Sequence, residues 1–296
     1  MDLKEVDLVV TDTKKIVNIL KNNEKAREEF KLGRGYYIQI KEYYKNWLKF
    51  THYTYDLPKS IFFYRVRKIN SKDTAGYNSI NELKYPPDNK SPLGRCSNNH
   101  SLNTMYTSFH ELTAISECRL KENDYFQLTK FRATEKTKCF ELGAIADIYL
   151  NTPRDSDIYK NKIKEIFNND VTDRYVRGIA SLEIALMDVF LAFQDNENIT
   201  YLLSSLLADC AFSMDQNIEA IVFPSIQNSQ RYGVNVAFSK KKADTLSVEC
   251  TFVNKITKSY DAGFCDYITL SECLSPKGDP LVYTSAEPDW GTARYR

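Results

Sequence analysis

The stretch PLGRCSNNHSLNTMYTSFHELTAISECR, residues 92–119, decides the fold that the sequence predicts. Its proline and glycine favour a loop at the start, and residues 104–107 are β-prone. Ser108 stands three residues before Glu111, which is typical of a capping box, so a helix is expected from Phe109 onward. The stretch therefore predicts a loop, a short strand and a helix in succession.

Three side chains of this stretch suggest a chemistry. Arg95, Tyr106 and Glu117 follow one another at spacings of eleven residues. A loop arginine offers a bidentate fork to a pyrophosphate, and a tyrosine can stack on an aromatic base. A glutamate can bind ribose hydroxyls and face the positive charge that develops when a glycosidic bond opens. A dinucleotide site is the resulting hypothesis, with a solvated helix-face glutamate as the alternative for Glu117.

The charge balance, the apolar content and the counts of cysteine and histidine argue against several classes of function. The chain of 296 residues has 40 Lys and Arg against 39 Asp and Glu, so we expect no direct nucleic-acid binding. No window holds eighteen apolar residues, and the N-terminus lacks an apolar signal run, so we expect no membrane association. A cytoplasmic location is expected from the cysteines, which suit free thiols in a reducing compartment. Seven cysteines without a CxxC motif indicate free thiols, and three histidines argue against a metal site.

The N-terminal region is predicted to be helical. Residues 10–31 form a polar amphipathic pattern, and residues 36–50 form a stronger one with an aromatic stripe. Such a stripe at helical spacing is usually a packing surface. We interpret this region as a cap or a dimerisation element, so a homodimer is one expected assembly.

Strands and helices alternate in blocks further along. The segment KSIFFYRVRKI, residues 59–69, predicts a strand with Arg65 and Arg67 on one face. Two cations there are costly unless an anion meets them or the strand lies at an exposed edge. Further strands are predicted at residues 125–132, 138–145, 218–223, 235–238 and 246–253. Further helices are predicted at residues 158–167, 171–193 and 199–214. This pattern indicates the α+β class.

The order of five motifs resembles the RES-domain family, which is named for an arginine, a glutamate and a serine. The motifs are FYRVR, PLGRCSN, MYTS, TAISECR and IVFPSIQNSQRYGVNVAF. Cys96 stands where an aromatic residue is usual, Ser97 is an additional residue, and Phe223 replaces a tyrosine. The resemblance covers roughly residues 60–255.

The resemblance implies a fold similar to ADP-ribosyltransferases, with a split mixed β-sheet core and flanking helices. It implies a catalytic domain at 56–257, in which the helical patterns predict a layer at about 150–215. The residue patterns outside it predict a helical N-terminal extension at 1–55 and a C-terminal tail at 258–296 that wraps the core. NAD is then a substrate, and no cofactor is required. An Xre-like antitoxin protein is the implied partner of this toxin-like enzyme.

The implied reaction cleaves the nicotinamide–ribose bond of NAD, as a glycohydrolase or phosphorylase, with protein mono-ADP-ribosylation as the alternative. By resemblance, Arg95 binds the pyrophosphate, Tyr106 orients the nicotinamide, Glu117 binds the ribose, Ser225 positions the ribose or amide, and Arg65 shares the phosphate or braces Glu117. The implied catalytic residues are Arg95, Tyr106, Glu117 and Ser225, and the implied NAD-binding residues are Arg65, Asn98, Arg95 and Tyr106.

Two other interpretations stay open. Arg95 and His100 form R-x4-H, a spacing used by HEPN-type ribonucleases, although the residues between them favour a loop. The tyrosine-rich helices also fit an inactive interaction module that binds a partner. Arg231 follows Ser225 and either reaches a phosphate or lies in a solvated loop.

Overall fold

The protein belongs to the α+β class, as the sequence predicts. A computed structural model describes residues 1–70, 75–87, 93–98, 100–168, 171–192, 198–226, 233–260 and 265–286. These residues contain ten α-helices and a mixed sheet of ten strands. None of the described helices combines the length and apolar character needed to cross a bilayer.

The elements have the following bounds. The helices are α1 (Leu3–Asn22), α2 (Glu24–Lys31), α3 (Tyr36–Leu48), α4 (Ile80–Lys84), α5 (Glu111–Glu117), α6 (Ala144–Asn151), α7 (Asp157–Phe167), α8 (Asp173–Leu191), α9 (Ile199–Met214) and α10 (Lys240–Thr245). The strands are β1 (Thr54–Leu57), β2 (Phe62–Ile69), β3 (Thr104–Ser108), β4 (Tyr125–Arg132), β5 (Thr137–Glu141), β6 (Ala220–Pro224), β7 (Val234–Ser239), β8 (Ser247–Ser259), β9 (Cys265–Leu274) and β10 (Thr284–Ser285).

The chain divides into two compact units, each assembled from three separated segments. The helical unit comprises Met1–Tyr55, Asp88–Asn103 and Lys138–Ile221. The sheet unit comprises Asp56–Pro87, Thr104–Thr137 and Val222–Arg296. The units therefore alternate along the sequence.

In the helical unit, the predicted helix over residues 10–31 is two helices. The backbone of Asn23 is extended, with φ −125° and ψ 99°, and its side chain accepts the N–H of Ala26 at 3.1 Å. Asparagine is a favoured N-cap because its side-chain oxygen satisfies an unpaired N–H of the first turn. The prediction of α3 is confirmed, and its buried face includes Tyr37, Ile40 and Tyr44.

The predicted strand over residues 138–145 is wrong at its end, because β5 stops at Glu141 and α6 begins at Ala144. Gly143 adopts φ +104°, and a Cβ there would lie 2.6 Å from the sulfur of Met187. Glu183, from α8, accepts the N–H of Ala146 at 2.7 Å. A left-handed glycine and a carboxylate from a distant helix thus start α6 where local propensity favours a strand.

In the sheet unit, the strand order β7-β3-β2-β4-β8-β9-β10 places β3 beside β7 and β2. The pairs β3–β7, β2–β3 and β2–β4 are antiparallel. The segment that the sequence assigns to a wrapping tail contributes β9, which pairs with β8. Beyond β9, the carboxylate of Asp279 accepts from the Ser79 hydroxyl and the Ile80 N–H, both at 2.7 Å, and so fixes the start of α4.

Candidate functional site

Glu117 is the last residue of α5 and is half-buried. Its Oε1 accepts a hydrogen bond from the hydroxyl of Ser225 at 2.5 Å and another from Nδ2 of Asn235 at 2.8 Å. Its Oε2 makes no hydrogen bond with a residue that the structure describes. Among the described residues, the carboxylate is therefore held through one of its two oxygens. This arrangement makes Glu117 the centre of the candidate site.

Ser225 follows directly on the buried strand β6 and is itself fully buried. Its N–H donates to the carbonyl of Gly233 at 2.7 Å. A Cβ on Gly233 would lie 2.6 Å from Cγ2 of Thr113 and 3.1 Å from Cβ of Ser225. The glycine therefore allows α5, the Ser225 backbone and the start of β7 to approach closely.

Asn235 and Ser108 belong to the site, and the sequence interpretation misses both. They face each other across β7 and β3, and the Ser108 hydroxyl donates to Oδ1 of Asn235 at 2.7 Å. The prediction of a capping box at Ser108 is wrong. Ser108 is the last residue of β3, and α5 starts at Glu111 without a side-chain cap. An asparagine within the apolar strand pattern VNVAF is the signal that could have identified Asn235.

Tyr106 and Arg65 also lie in the sheet unit. Nη1 of Arg65 donates to the Tyr106 carbonyl at 2.7 Å, and the Tyr106 ring packs edge-on against Phe223 with centroids 5.6 Å apart. Burial, followed by the charge of Arg67, lowers the pKa of Arg65 to about 10. Within the described residues, Arg65 has no salt-bridge partner, and its buried Nε has no hydrogen-bond acceptor. Among the described residues, the guanidinium of Arg65 is therefore bonded to a carbonyl and to no carboxylate.

Arg67 differs from Arg65 in its partners. Its Nη1 bonds to the Glu82 carbonyl, and its guanidinium lies 4.6 Å from the Tyr77 ring centroid. A carbonyl and an aromatic face, instead of an anion, thus accommodate this cation.

Arg95 and Asn98 lie in the helical unit, in a loop where Gly94 bridges to Ser97. Arg95 donates to the carbonyl of Phe190, and its Nη1 and Nη2 lie 3.4 Å from the carbonyl of Ala192. These carbonyls are at the C-terminal end of α8, where the helix dipole favours a cation. In the structure, Arg95 therefore interacts with the end of a helix.

Asn98 organises its own loop. Its buried Oδ1 accepts the N–H groups of Ser101 at 2.8 Å and Leu102 at 2.9 Å. His100 packs edge-on against Tyr37, with ring centroids 4.5 Å apart, and burial lowers the pKa of this histidine. Neither Arg95 nor His100 is in a helix, which differs from the helical placement expected of a HEPN-type pair.

The chain was compared with known proteins. No family model and no curated protein sequence matches it. The described residues contain no cluster of three or more His, Cys, Asp or Glu side chains suited to a metal ion. Arg231 lies outside the described residues. The described site consists of a carboxylate oriented by two buried donors, Ser225 and Asn235.

Proposed function

We propose that the chain is an NAD-consuming enzyme of the RES-domain type, with an ADP-ribosyltransferase-like fold, that cleaves the nicotinamide–ribose bond. The observation that carries the proposal is the 2.5 Å hydrogen bond from Ser225 to Glu117, two residues 108 positions apart in the chain. The glutamate and the serine of the resembling motif thus meet in one cluster. A carboxylate that is held through Oε1, with Oε2 unbonded among the described residues, suits the hydroxyls of a ribose.

In the proposed mechanism, Oε2 of Glu117 accepts hydrogen bonds from the ribose hydroxyls. The C–N bond to nicotinamide breaks, and its electron pair neutralises the positive ring nitrogen. The carboxylate stabilises the positive charge that develops on the anomeric carbon. The oxygen of water or phosphate then bonds to that carbon, and an attacking water loses its proton to solvent.

The arginines are proposed to bind the phosphates of NAD. Arg65 supports this role best, because it is half-buried and has no carboxylate partner within the described residues, where its Nε is also without an acceptor. For Arg95 the pyrophosphate-binding role rests on the resemblance alone; within the helical unit its guanidinium bonds to the carbonyls of Phe190 and Ala192. Tyr106 is proposed to orient the nicotinamide, and Asn98 to keep the Arg95 loop in shape.

The proposal extends to the setting of the enzyme. Seven free cysteines, four of them buried, fit a reducing cytoplasm. An Xre-like antitoxin is the proposed protein partner, on the basis of the resemblance. Protein mono-ADP-ribosylation is the related reaction in which a side chain replaces water as the acceptor.

The test is to incubate the purified chain with NAD and to measure free nicotinamide by liquid chromatography, with and without phosphate. The companion product distinguishes ADP-ribose, its phosphate ester and modified protein. We expect Glu117→Gln to lower the rate at least about 100-fold. Glu165→Gln, at an exposed position of α7, is the matched control and should keep the parental rate. Absence of nicotinamide release from the parental chain would contradict the proposal.

A further inference from the structure

Asn235 and Ser225 both donate to Oε1 of Glu117, and the side chain of Asn235 is itself held by a hydrogen bond from Ser108. Asn235 and Ser108 are each only 1% exposed. We propose that Asn235, held by Ser108, is a positioning residue that aims Oε2 of Glu117 at the substrate. The assignment of the substrate as NAD rests on the function proposed above, whereas the hydrogen-bond geometry does not.

The amide of Asn235 has one favoured orientation. The Ser108 hydroxyl donates to Oδ1 at 2.7 Å, so Nδ2 is the atom that faces Glu117 at 2.8 Å. The reversed amide would place Oδ1 against Oε1, and neither of these oxygens carries a proton when Glu117 is ionised. Ser108 therefore fixes which end of the amide meets the carboxylate.

Two donors on one oxygen also fix the carboxylate. The Ser225 hydroxyl at 2.5 Å and the Asn235 amide at 2.8 Å both bond to Oε1, and bonds to an ionised acceptor are the stronger kind. Rotation of the carboxylate would break both bonds. Oε2 is thus left as an acceptor with a defined direction, which suits a hydroxyl donor and disfavours an anionic ligand group.

The positioning residues lie on regular strands. Ser108 and Asn235 are directly paired in the β3–β7 ladder, and the hydroxyl of the preceding residue, Thr107, donates to the Val236 carbonyl at 2.9 Å. Side chains on paired strands hold their positions more precisely than side chains on loops. The cluster therefore has the rigid support that a positioning role requires.

The decisive variant is Asn235→Asp, which keeps the shape of the side chain but replaces the donor with a carboxylate oxygen. Two carboxylates then face each other at the 2.8 Å contact, so we expect Tm to fall by roughly 5 °C and kcat by about 100-fold, with KM changed less than about threefold. Adding Glu117→Gln to this variant exchanges the donor and the acceptor of the contact, because the glutamine amide can donate to the new carboxylate. The double variant should recover most of the lost Tm and none of the activity.

A matched control comes from the same unit. Asn254 is also fully buried, its Oδ1 accepts from the Thr269 hydroxyl at 2.9 Å, and its Nδ2 donates to the Phe252 carbonyl at 3.2 Å. Asn254 bonds to Phe252 and Thr269 and not to Glu117, so adding Glu117→Gln should not recover the Tm that Asn254→Asp loses. Recovery specific to Asn235→Asp supports the inference. Purely additive effects of Asn235→Asp and Glu117→Gln on Tm would overturn it.

Two further outcomes are informative. If the parental chain releases no nicotinamide but the Tm recovery occurs, the geometry holds and the proposed function fails. If Asn235→Asp does not fold, Ser108→Ala removes only one oxygen and should lower kcat about tenfold at an unchanged KM. A Ser108→Ala enzyme with the parental kcat would also overturn the inference.

Discussion

Replacing Glu183 with glutamine should remove a large pH dependence from the stability of the helical unit. Glu183 is fully buried on α8, and its Oε2 accepts the N–H of Ala146 at the start of α6. Its Oε1 is buried without a hydrogen-bond partner in the described part of the chain. Burial raises the pKa of Glu183 to about 7, against the lowering effect of the backbone N–H groups of α6, and the charge of Glu141 adds to the rise.

The sign and size of the effect follow from linkage. The raised pKa means that the folded protein binds the proton more tightly than the unfolded chain, so the contribution to stability is complete below pH 4.5 and is lost as the pH rises through about 7. The difference between 4.5 and about 7 corresponds to about 3 kcal/mol of unfolding free energy. Glutamine cannot ionise, so Glu183→Gln should lack this loss.

The assay is urea unfolding followed by far-ultraviolet circular dichroism at several pH values between 4 and 8. We expect the two proteins to have similar unfolding free energies at the acid end. At pH 8 the variant should be the more stable by about 3 kcal/mol. The exposed Glu165→Gln serves as the control and should follow the parental curve. Parallel curves for Glu183→Gln and the parent would refute the reasoning.

Three further predictions follow from single contacts. Gly233→Ala should lower the unfolding free energy by about 2 kcal/mol, because its Cβ would lie 2.6 Å from Thr113, and Thr113→Ala should recover part of that loss in the same urea titration. Tyr283→Phe should cost about 1–2 kcal/mol, because the Tyr283 hydroxyl accepts from Gln127 at 2.6 Å; an unchanged denaturation midpoint would contradict this. Arg95→Met should raise KM for NAD at least about tenfold but leave KM for nicotinamide riboside, which lacks phosphates, unchanged; equal effects on both substrates would argue against pyrophosphate binding.

Helices and strands whose bounds depend on their own apolar pattern are predicted well from the sequence. The strand at Tyr125–Arg132 and the helix at Ile199–Met214 begin and end where the apolar patterns place them. The start of α6 is not predictable in this way, because it depends on Glu183, a residue 37 positions from the Ala146 N–H that it accepts. Local propensity contains no information about that partner.

The candidate site likewise contains residues that the sequence identifies and residues whose roles depend on contacts between distant segments. Motif order identifies Glu117 and Ser225, and the structure brings these two side chains into contact. Asn235 escapes the sequence interpretation because its role depends on strand register, which pairs it with Ser108. The contacts of Arg95 depend on where α8 ends in space, and no spacing within residues 92–119 encodes that position.

The separation of the site residues along the chain has a consequence for biosynthesis. The two donors to Glu117 come 108 and 118 residues after it. At ribosomal speeds, adding 118 residues takes roughly 6–24 seconds, so a nascent chain carries an unoriented carboxylate for at least that long. The polypeptide acquires its complete cluster only after Asn235 has been added, which delays any activity of the cluster until that point of translation.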